Sequence, residues 1–275
     1  MSQATLERPG GGSPKQVRPA QPPPSPLLVG GIVGAVAVTV VAGWAIDFSL
    51  APVIEKWPML TMILGEVAHP DWAEITDPSS RLWTALTETA AIAVIATFVG
   101  SLIALGVALL GSKVSAPPLV YRFVKGAMSV IRSLPDMAYA LVFVAVVTGA
   151  LSGILALTIF NIGVVAKLTA ESIDAVDPGP LEALDAAGAT RWQRARVAIV
   201  PAVLPNYASY VIYVFELNIR ASAVLGIVGA GGIGQLISFY FLDGDYPKLA
   251  SVVIVIFVLV VAIDMISQFV RRRLV

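Results

Sequence analysis

The sequence contains no cysteine, a single histidine and few charged residues. Without cysteine, the chain can form no disulfide, no thiolate nucleophile and no cysteine-ligated metal site. Charged residues occupy 13% of the 275 positions and apolar residues 57%, whereas soluble domains carry about 25% charged residues. A chain of this composition has too few polar side chains to cover its core in water. The composition therefore indicates a membrane protein.

The chain also lacks a net charge, because 18 basic residues balance 18 acidic ones. No basic stripe is available for a nucleic-acid backbone, so we expect no nucleic-acid partner. The one histidine, His69, lies in the polar stretch "EVAHPDW", and we expect it to be a solvated loop residue. The apolar runs contain no Ser/His pair, no His/Asp cluster and no metal-ligand spacing. This absence disfavours a membrane-embedded enzyme and a metal site.

Long apolar runs predict transmembrane helices, which need about 20 residues to cross the hydrocarbon core. Four clear runs lie at 27–46, 89–111, 197–219 and 249–270. Two further uncharged regions are ambiguous: 137–166 is broken by "TGALSG" at 148–153, and 221–242 is rich in glycine. The Pro/Gly/Ser-rich residues 1–26 are typical of a disordered tail.

The placement of lysine and arginine resolves the ambiguous regions, since cytoplasmic loops carry an excess of both. The tail, the loop after the second run and the "RRR" at 271–273 are basic, whereas residues 47–81 are mainly acidic. If these three basic segments all lie on the cytoplasmic side of the membrane, the number of spans must be even. Splitting 137–166 and leaving 221–242 outside predicts six spans with both termini cytoplasmic. The prediction gives a tail (1–26), a first helix (27–47), an extracytoplasmic loop (48–80) and a five-helix domain (81–272).

The stretch "GAGGIG" at 229–234 contains the spacing G-x-G-x-x-G of dinucleotide-binding turns. That spacing is informative only between a strand and a helix, and an apolar span precedes it here. We therefore expect Gly229, Gly231, Gly232 and Gly234 to serve close backbone packing in a re-entrant or interfacial turn. A structural turn and an external gate element both remain open.

Residues 177–205, "DPGPLEALDAAGATRWQRARVAIVPAVLP", predict a helix, a sharp turn and a second helix on the cytoplasmic side. Pro180 suits a first helical turn, and Gly188 suits the left-handed residue that ends the helix. Thr190 and Gln193 form a potential capping box for the next helix. The short helix is rich in alanine, with Ala183 and Ala187 among small neighbours. It is either an amphipathic connector or a helix that docks into a partner.

This loop resembles the EAA loop of ABC importer permeases. The resemblance rests on Glu182, Ala183, Gly188 and Pro201, which match the pattern in register. Three positions depart from the pattern, and in each case one apolar residue replaces another: Leu184, Ala198 and Val200. With "IRSLPD" at 131–136 and "FELNIRASAVLGIVGAGGIG" at 215–234, residues 50–275 more specifically resemble the phosphonate ABC transporter permeases.

The resemblance implies an all-α membrane protein with the type I, methionine-permease-like fold. It also implies a homodimer in the inner membrane, two cytoplasmic ABC ATPases docked on loop 177–201 and an extracytoplasmic solute-binding protein. Within that loop it assigns ATPase coupling to Glu182, Ala183, Asp185, Ala187, Gly188 and Pro201. The chain has no G-x-x-x-x-G-K-[ST] motif, so any ATP would be bound and hydrolysed by the partner, and no cofactor is expected in this chain.

Polar residues inside the apolar spans are further functional candidates, because such groups are costly in lipid. Glu216 and Arg220 have the spacing of an ion pair on one helix. Asn218 could bond across helices, as could Asn161. We expect these groups to line the translocation pathway or to pair structurally. Arg220, near the external mouth, could attract a phosphonate-like dianion.

The sequence therefore leaves four functions to be distinguished. The resemblance favours an importer permease for phosphonate, phosphite or phosphate. Permeases of this type for another solute, such as methionine or betaine, are the nearest alternative. A membrane-embedded enzyme lacks candidate residues, and a passive channel would have no use for a docking helix.

Overall fold

The computed structural model describes residues 25–274. Most of the predicted tail, 1–26, lies outside these residues. The chain divides into two units, Met1–Pro58 and Met59–Val275. In the first unit, α1 (Pro26–Ala45) is 20 residues long, and the short α2 (Ala51–Glu55) follows it. The Ser25 side chain caps α1 by accepting a hydrogen bond from the Leu28 N–H, with proline at the first helical position.

Eleven α-helices follow among the described residues. They are α3 (Trp57–Val67), which begins at the unit boundary, α4 (Trp72–Thr76), α5 (Arg81–Leu110), α6 (Pro118–Ser133), α7 (Asp136–Val144), α8 (Ala150–Asp174), α9 (Pro178–Ala186), α10 (Arg191–Arg194), α11 (Val200–Ile227), α12 (Gly232–Asp243) and α13 (Tyr246–Leu274). A π-helical segment, Ala195–Ile199, joins α10 to α11. The part of the chain that the structure describes contains no strand, which agrees with the all-α prediction.

Five helical segments are long and apolar enough to cross a membrane: α1, α5, α8, the composite Arg191–Asp243 and α13. The remaining predicted span, the third along the chain, corresponds to the pair α6 and α7, which meet at a bend of 79°. Pro135 follows the end of α6, and the residue before a proline is disfavoured in helical conformation. Counting the bent pair as one span, the five long helical segments and this pair match the six predicted spans.

The predicted split of 137–166 is correct, but its two halves are unequal. Gly149 has a φ of +80°, a conformation suited to glycine, and α8 begins at the next residue. α8 extends beyond 166 to Asp174, so it has full spanning length. α7 has nine residues, or about 14 Å of helix, and is less than half of the hydrocarbon thickness.

Three other predicted segments differ from the structure in their bounds or in their helix content. α11 continues past 219 to Ile227. The glycine-rich region 221–242 is not a simple turn, because it contains the end of α11 and the whole of α12. The predicted loop 48–80 is also largely helical, as it contains α2, α3 and α4.

The second unit is organised around the parallel pair α5 and α8. The Asn161 amide donates to the Ala96 carbonyl oxygen. Near the ends of the two helices, the Asp174 carboxylate accepts from the Ser112 hydroxyl at 2.6 Å and from the Lys113 N–H at 2.9 Å. We call the end of the bundle where α5 and α8 terminate the α9 end, and the opposite end, where α5 begins, the α4 end.

α11 runs antiparallel to α5, and α13 runs antiparallel to α11. The Tyr207 hydroxyl donates to the Ser101 carbonyl oxygen near the α9 end, whereas Ala223 packs with Leu82 and Val252 near the α4 end. Small side chains such as Ala104 and Ala166 allow close packing of the helices in the core.

Candidate functional site

The loop 177–201 forms the helix, turn and helix that its sequence predicts. The Asp177 carboxylate caps α9 by accepting a hydrogen bond from the Gly179 N–H at 2.9 Å. α9 begins at Pro178, two residues before the predicted start, and ends at Ala186. Gly188 has a φ of +73°, which confirms the left-handed residue after the helix.

The second helix of the loop is capped as predicted. The Gln193 N–H donates to the Thr190 hydroxyl, and the Gln193 side chain accepts from the Thr190 N–H at 2.7 Å. The π-helical segment that follows was not predicted. Pro201 and Pro205 have no N–H, so the carbonyls of Val197 and Pro201 lose their usual helical donors in this region. The Val200 N–H bonds instead to the Ala195 carbonyl, five residues back.

α9 is fixed to the bundle on one side and open on the other. Leu181 is buried in a cluster with Ile173, Ile199 and Val203. Across the turn, Arg194 forms an ion pair with Asp185 at 3.0 Å. The other residues to which the resemblance assigns coupling are all exposed: Glu182, Ala183, Ala187, Gly188 and Pro201.

Asp185 therefore differs from the other residues assigned to coupling. It is half exposed, but its carboxylate is engaged within the loop by Arg194. The Asp185 side chain therefore acts on the angle between α9 and α10 rather than on the surface that a partner would contact. The sequence did not indicate this pair, because the two residues are on different helices.

The glycine motif connects α11 to α12, and α11 rather than a strand precedes it. This context confirms that the motif is not a dinucleotide-binding turn. Gly229, Gly231 and Gly232 all have positive φ angles. A Cβ on Gly231 would lie 2.8 Å from the Ala150 N atom, and one on Gly234 would overlap the Ala223 carbonyl oxygen. The predicted close backbone packing is therefore confirmed.

The start of α12 is also anchored to α5. The Ile233 N–H donates to the buried hydroxyl of Thr89 at 2.7 Å. A Cβ on Gly232 would lie 2.6 Å from the same hydroxyl oxygen. Thr89 satisfies a helix N-terminal donor that has no partner within α12. It was not singled out from the sequence, since threonines on apolar helices are common.

The two asparagines bond across helices, and both contact α5. Asn218 is buried and donates to the Thr97 hydroxyl at 2.7 Å. Asn161, also buried, donates to the Ala96 carbonyl oxygen at 3.1 Å. The prediction of interhelical bonds is confirmed, and the structure supplies the partners. Thr97 lies near the middle of the 30-residue α5, so Asn218 lies at mid-bundle depth.

Glu216 and Arg220 form the predicted ion pair on α11. Because α11 continues for seven residues beyond Arg220 and Asn218 lies at mid-bundle depth, the placement of Arg220 near the external mouth was wrong. Glu216 has a second partner that the sequence did not indicate. Its other carboxylate oxygen lies 3.3 Å from a guanidinium nitrogen of Arg271, on α13.

Comparison with known proteins identifies the family. Residues 96–275 match the family described as binding-protein-dependent transport system inner membrane component. The chain is 34% identical over 240 residues to the phosphite transport system permease protein PtxC of Stutzerimonas stutzeri, and the match covers 86% of each protein. The chain belongs to this family of transport system membrane components.

Other permeases are similar over part of their length or of this chain. The phosphate-import permease protein PhnE of Mycolicibacterium smegmatis is 38% identical over 196 residues, which are 70% of this chain but 37% of that protein. The Escherichia coli protein named "Putative cryptic phosphonate transport system permease protein PhnE2" is 36% identical over 121 residues, which are 44% of this chain and 99% of that protein.

Solved permeases share the fold. A chain of the MetNI methionine ABC transporter, in an inward-facing conformation, matches with a TM-score of 0.62 and 25% identity, covering 70% of this chain and 96% of its own. A chain of the bacterial alginate ABC transporter matches with a TM-score of 0.59 at 16% identity, which shows the fold alone. The methionine-permease-like fold is therefore confirmed for this transport system component.

Proposed function

We propose that the chain is the permease subunit of an ATP-driven importer for phosphonate or a related phosphorus oxyanion. The observation that carries this proposal is the structure of loop 177–201. Its alanine-rich helix α9 is exposed on one side, and the buried Leu181 and the Asp185–Arg194 ion pair hold it on the other. This geometry suits docking to an ATPase, and a passive channel has no use for it. The similarity to phosphite and phosphate permeases supports the choice of substrate class.

In this proposal, two copies of the chain form the pathway, and two ATPases bind the α9 ends on the cytoplasmic side. A solute-binding protein delivers the oxyanion at the α4 ends. ATP is bound and hydrolysed by the partner, so the permease needs no cofactor of its own. Both termini lie in the cytoplasm, and the spans are surrounded by inner-membrane lipid.

The permease transmits the ATPase movement through α9. Glu182 and Ala183 contact the partner, because both side chains are exposed. Leu181 connects the moving helix to α8 and α11 through the buried cluster. The Asp185–Arg194 ion pair fixes α9 to α10, so that a force on α9 displaces α11 as well.

The pathway side of the proposal involves α11 and the glycine connection. Arg220 is half exposed and provides a cation for an anionic solute, with Glu216 and Asn218 holding that part of α11 in place. Gly229, Gly231, Gly232 and Gly234 let α12 approach α5 and α11 closely. This packing closes the α4 end around the pathway.

Transport by a reconstituted complex tests the proposal. The chain is assembled in proteoliposomes with an ABC ATPase and a solute-binding protein of its own organism, which we expect to be encoded beside its gene. We expect ATP-dependent accumulation of phosphite, phosphate or methylphosphonate, and none of methionine or glycine betaine. Uptake of methionine or betaine alone would assign the chain to the alternative substrate class, and solute flux without ATP would indicate a channel.

A further inference from the structure

Two arginines from different helices share one buried carboxylate inside the bundle. Glu216 is buried, and its two oxygens contact Arg220 and Arg271 separately. Arg271 lies on α13, 55 residues beyond Glu216 along the chain. Because both guanidinium groups contact one carboxylate, they lie close to each other. Their like charges repel each other, and the Glu216 carboxylate between them attracts both.

One carboxylate does not neutralise two guanidinium groups. Asp264 lies two turns from Arg271 on α13, and its carboxylate accepts a hydrogen bond from the Gln268 amide at 2.9 Å. Among the described residues it forms no ion pair. One positive charge at the Glu216 cluster is therefore uncompensated at contact distance. This excess positive charge favours an anionic ligand at the cluster.

The other polar side chains near the cluster include further hydrogen-bond donors. Ser209, Tyr213, Glu216 and Arg220 are spaced by four, three and four residues, which places them on one face of α11. The Arg271 guanidinium lies 5.7 Å from the centre of the Tyr213 ring. Next to it, an open cavity of about 360 Å³ is lined by Ser209, Gln268, Arg271 and Arg272. No carboxylate lines this cavity.

We propose that the seam between α11 and α13, formed by Arg220, Arg271 and the adjoining cavity, binds the transported phosphorus oxyanion on its way to the α9 end. This inference rests on the proposed function. Both guanidinium groups keep free N–H donors beyond Glu216, and guanidinium pairs bind tetrahedral oxyanions with two parallel hydrogen bonds. Glu216 is a positioning residue, because it holds both arginines towards the seam without contacting the anion.

The exposure of the side chains agrees with this arrangement. The side chain of Arg220 is 49% exposed and that of Arg271 26%, whereas that of Glu216 is 5% exposed. The guanidinium N–H groups of both arginines are thus accessible, whereas the Glu216 carboxylate that they share is buried. A lipid phosphate headgroup has the same chemistry as the solute, so the experiment must distinguish these two sources.

Arg271→Gln is the informative variant, because it leaves Glu216 paired with Arg220 and creates no unpaired buried charge. In the reconstituted complex we expect the amount of assembled transporter to be unchanged and the phosphite uptake rate to fall about tenfold, as losing one hydrogen bond to a charged group implies. Arg271→Lys should recover part of the rate, since it restores the charge but not the paired donors.

Arg273→Gln is the matched control. It removes a charge only two residues from Arg271, but the Arg273 side chain lies over the Phe269 ring. We expect its uptake rate to equal that of the unmodified complex. Normal uptake by Arg271→Gln, when the unmodified complex transports phosphite, would overturn the oxyanion site and leave the proposed function intact. If the unmodified complex carries no phosphorus oxyanion, the proposed function itself fails.

The lipid source is tested by comparing proteoliposomes of phosphatidylcholine alone with ones that also contain phosphatidylglycerol. If the seam binds the solute, Arg271→Gln lowers uptake by the same factor in both bilayers. If it binds a lipid headgroup, phosphatidylglycerol stimulates the unmodified complex and Arg271→Gln abolishes only this stimulation. The second result would overturn the proposal.

Discussion

Arg194 bonds to Asp185 at 3.0 Å across the turn at Gly188, and this pair fixes the angle between α9 and α10. Both side chains are partly exposed, so the pair contributes little to the stability of the fold. Its effect is on the direction in which α9 points. The pair therefore provides a test of how α9 transmits force.

Arg194→Gln should reduce ATPase stimulation by the loaded binding protein several-fold while leaving basal hydrolysis in place. The reason is that α9 keeps its contact surface but loses its connection to α10. The measurement is the ATPase rate of the reconstituted complex with and without the binding protein. Exchanging the charges, Asp185→Arg with Arg194→Asp, should restore most of the stimulation. Failure of this exchange would mean that the pair does not act through its mutual attraction.

Gly188→Val should abolish stimulated ATP hydrolysis and uptake. A β-branched residue is costly at the observed φ of +73°, by about 1–2 kcal/mol for the left-handed conformation, so the turn would point α9 elsewhere. Gly188→Asn is the matched control, since asparagine tolerates this conformation. Stimulation that survives in the valine variant would contradict the coupling role of the turn.

Ala183→Trp should leave the permease inserted but prevent ATPase docking, because the exposed position then carries a large side chain. Co-purification of the ATPase with the permease measures this directly. Ala183→Ser, which adds little volume, should bind the ATPase normally. Glu182→Ala should show a partial loss, because it removes one charge and little shape. A tryptophan variant that still binds the ATPase would exclude α9 from the contact surface.

Gly234→Ala should destabilise the bundle by roughly 1–3 kcal/mol or more, as overpacking does. Its Cβ would overlap the Ala223 carbonyl oxygen of α11. Gly106→Ala on α5 is the control, because a Cβ there has open space and alanine favours a helix. Thermal unfolding of the purified permease in detergent should show a lower midpoint for the first variant and an equal or higher one for the second.

The proposed orientation can be tested with single cysteines, since the native chain has none. An impermeant thiol reagent on intact cells should label Thr76→Cys and Asp243→Cys, which are exposed at the α4 end. Ala187→Cys, exposed on the opposite end, and Gly12→Cys should react only after the cells are permeabilised. Labelling of Ala187→Cys in intact cells would reverse the topology.

Features that depend on neighbours along the chain followed from the sequence alone. A helix places residues four apart on one face, so Glu216 and Arg220 had to meet once α11 formed. The capping box at Thr190 and the left-handed Gly188 depend on local backbone geometry, and both are present. The apolar runs together with the placement of the basic residues similarly predicted six spans, because lipid requires long, internally bonded helices and cytoplasmic loops carry an excess of lysine and arginine.

Features that depend on how the helices pack were decided only by the tertiary structure. Arg271 meets Glu216 because α13 crosses α11 at that depth, and no spacing in the sequence specifies the crossing. For the same reason, Asn218 donates to Thr97 on α5, and Thr89 accepts from the Ile233 N–H in the first turn of α12. The turn that the glycines at 229–234 suggested is present between α11 and α12. The close packing of α12, as a helix, against α5 and α11 depends on the absence of side chains where these helices meet, and only the tertiary structure decided it.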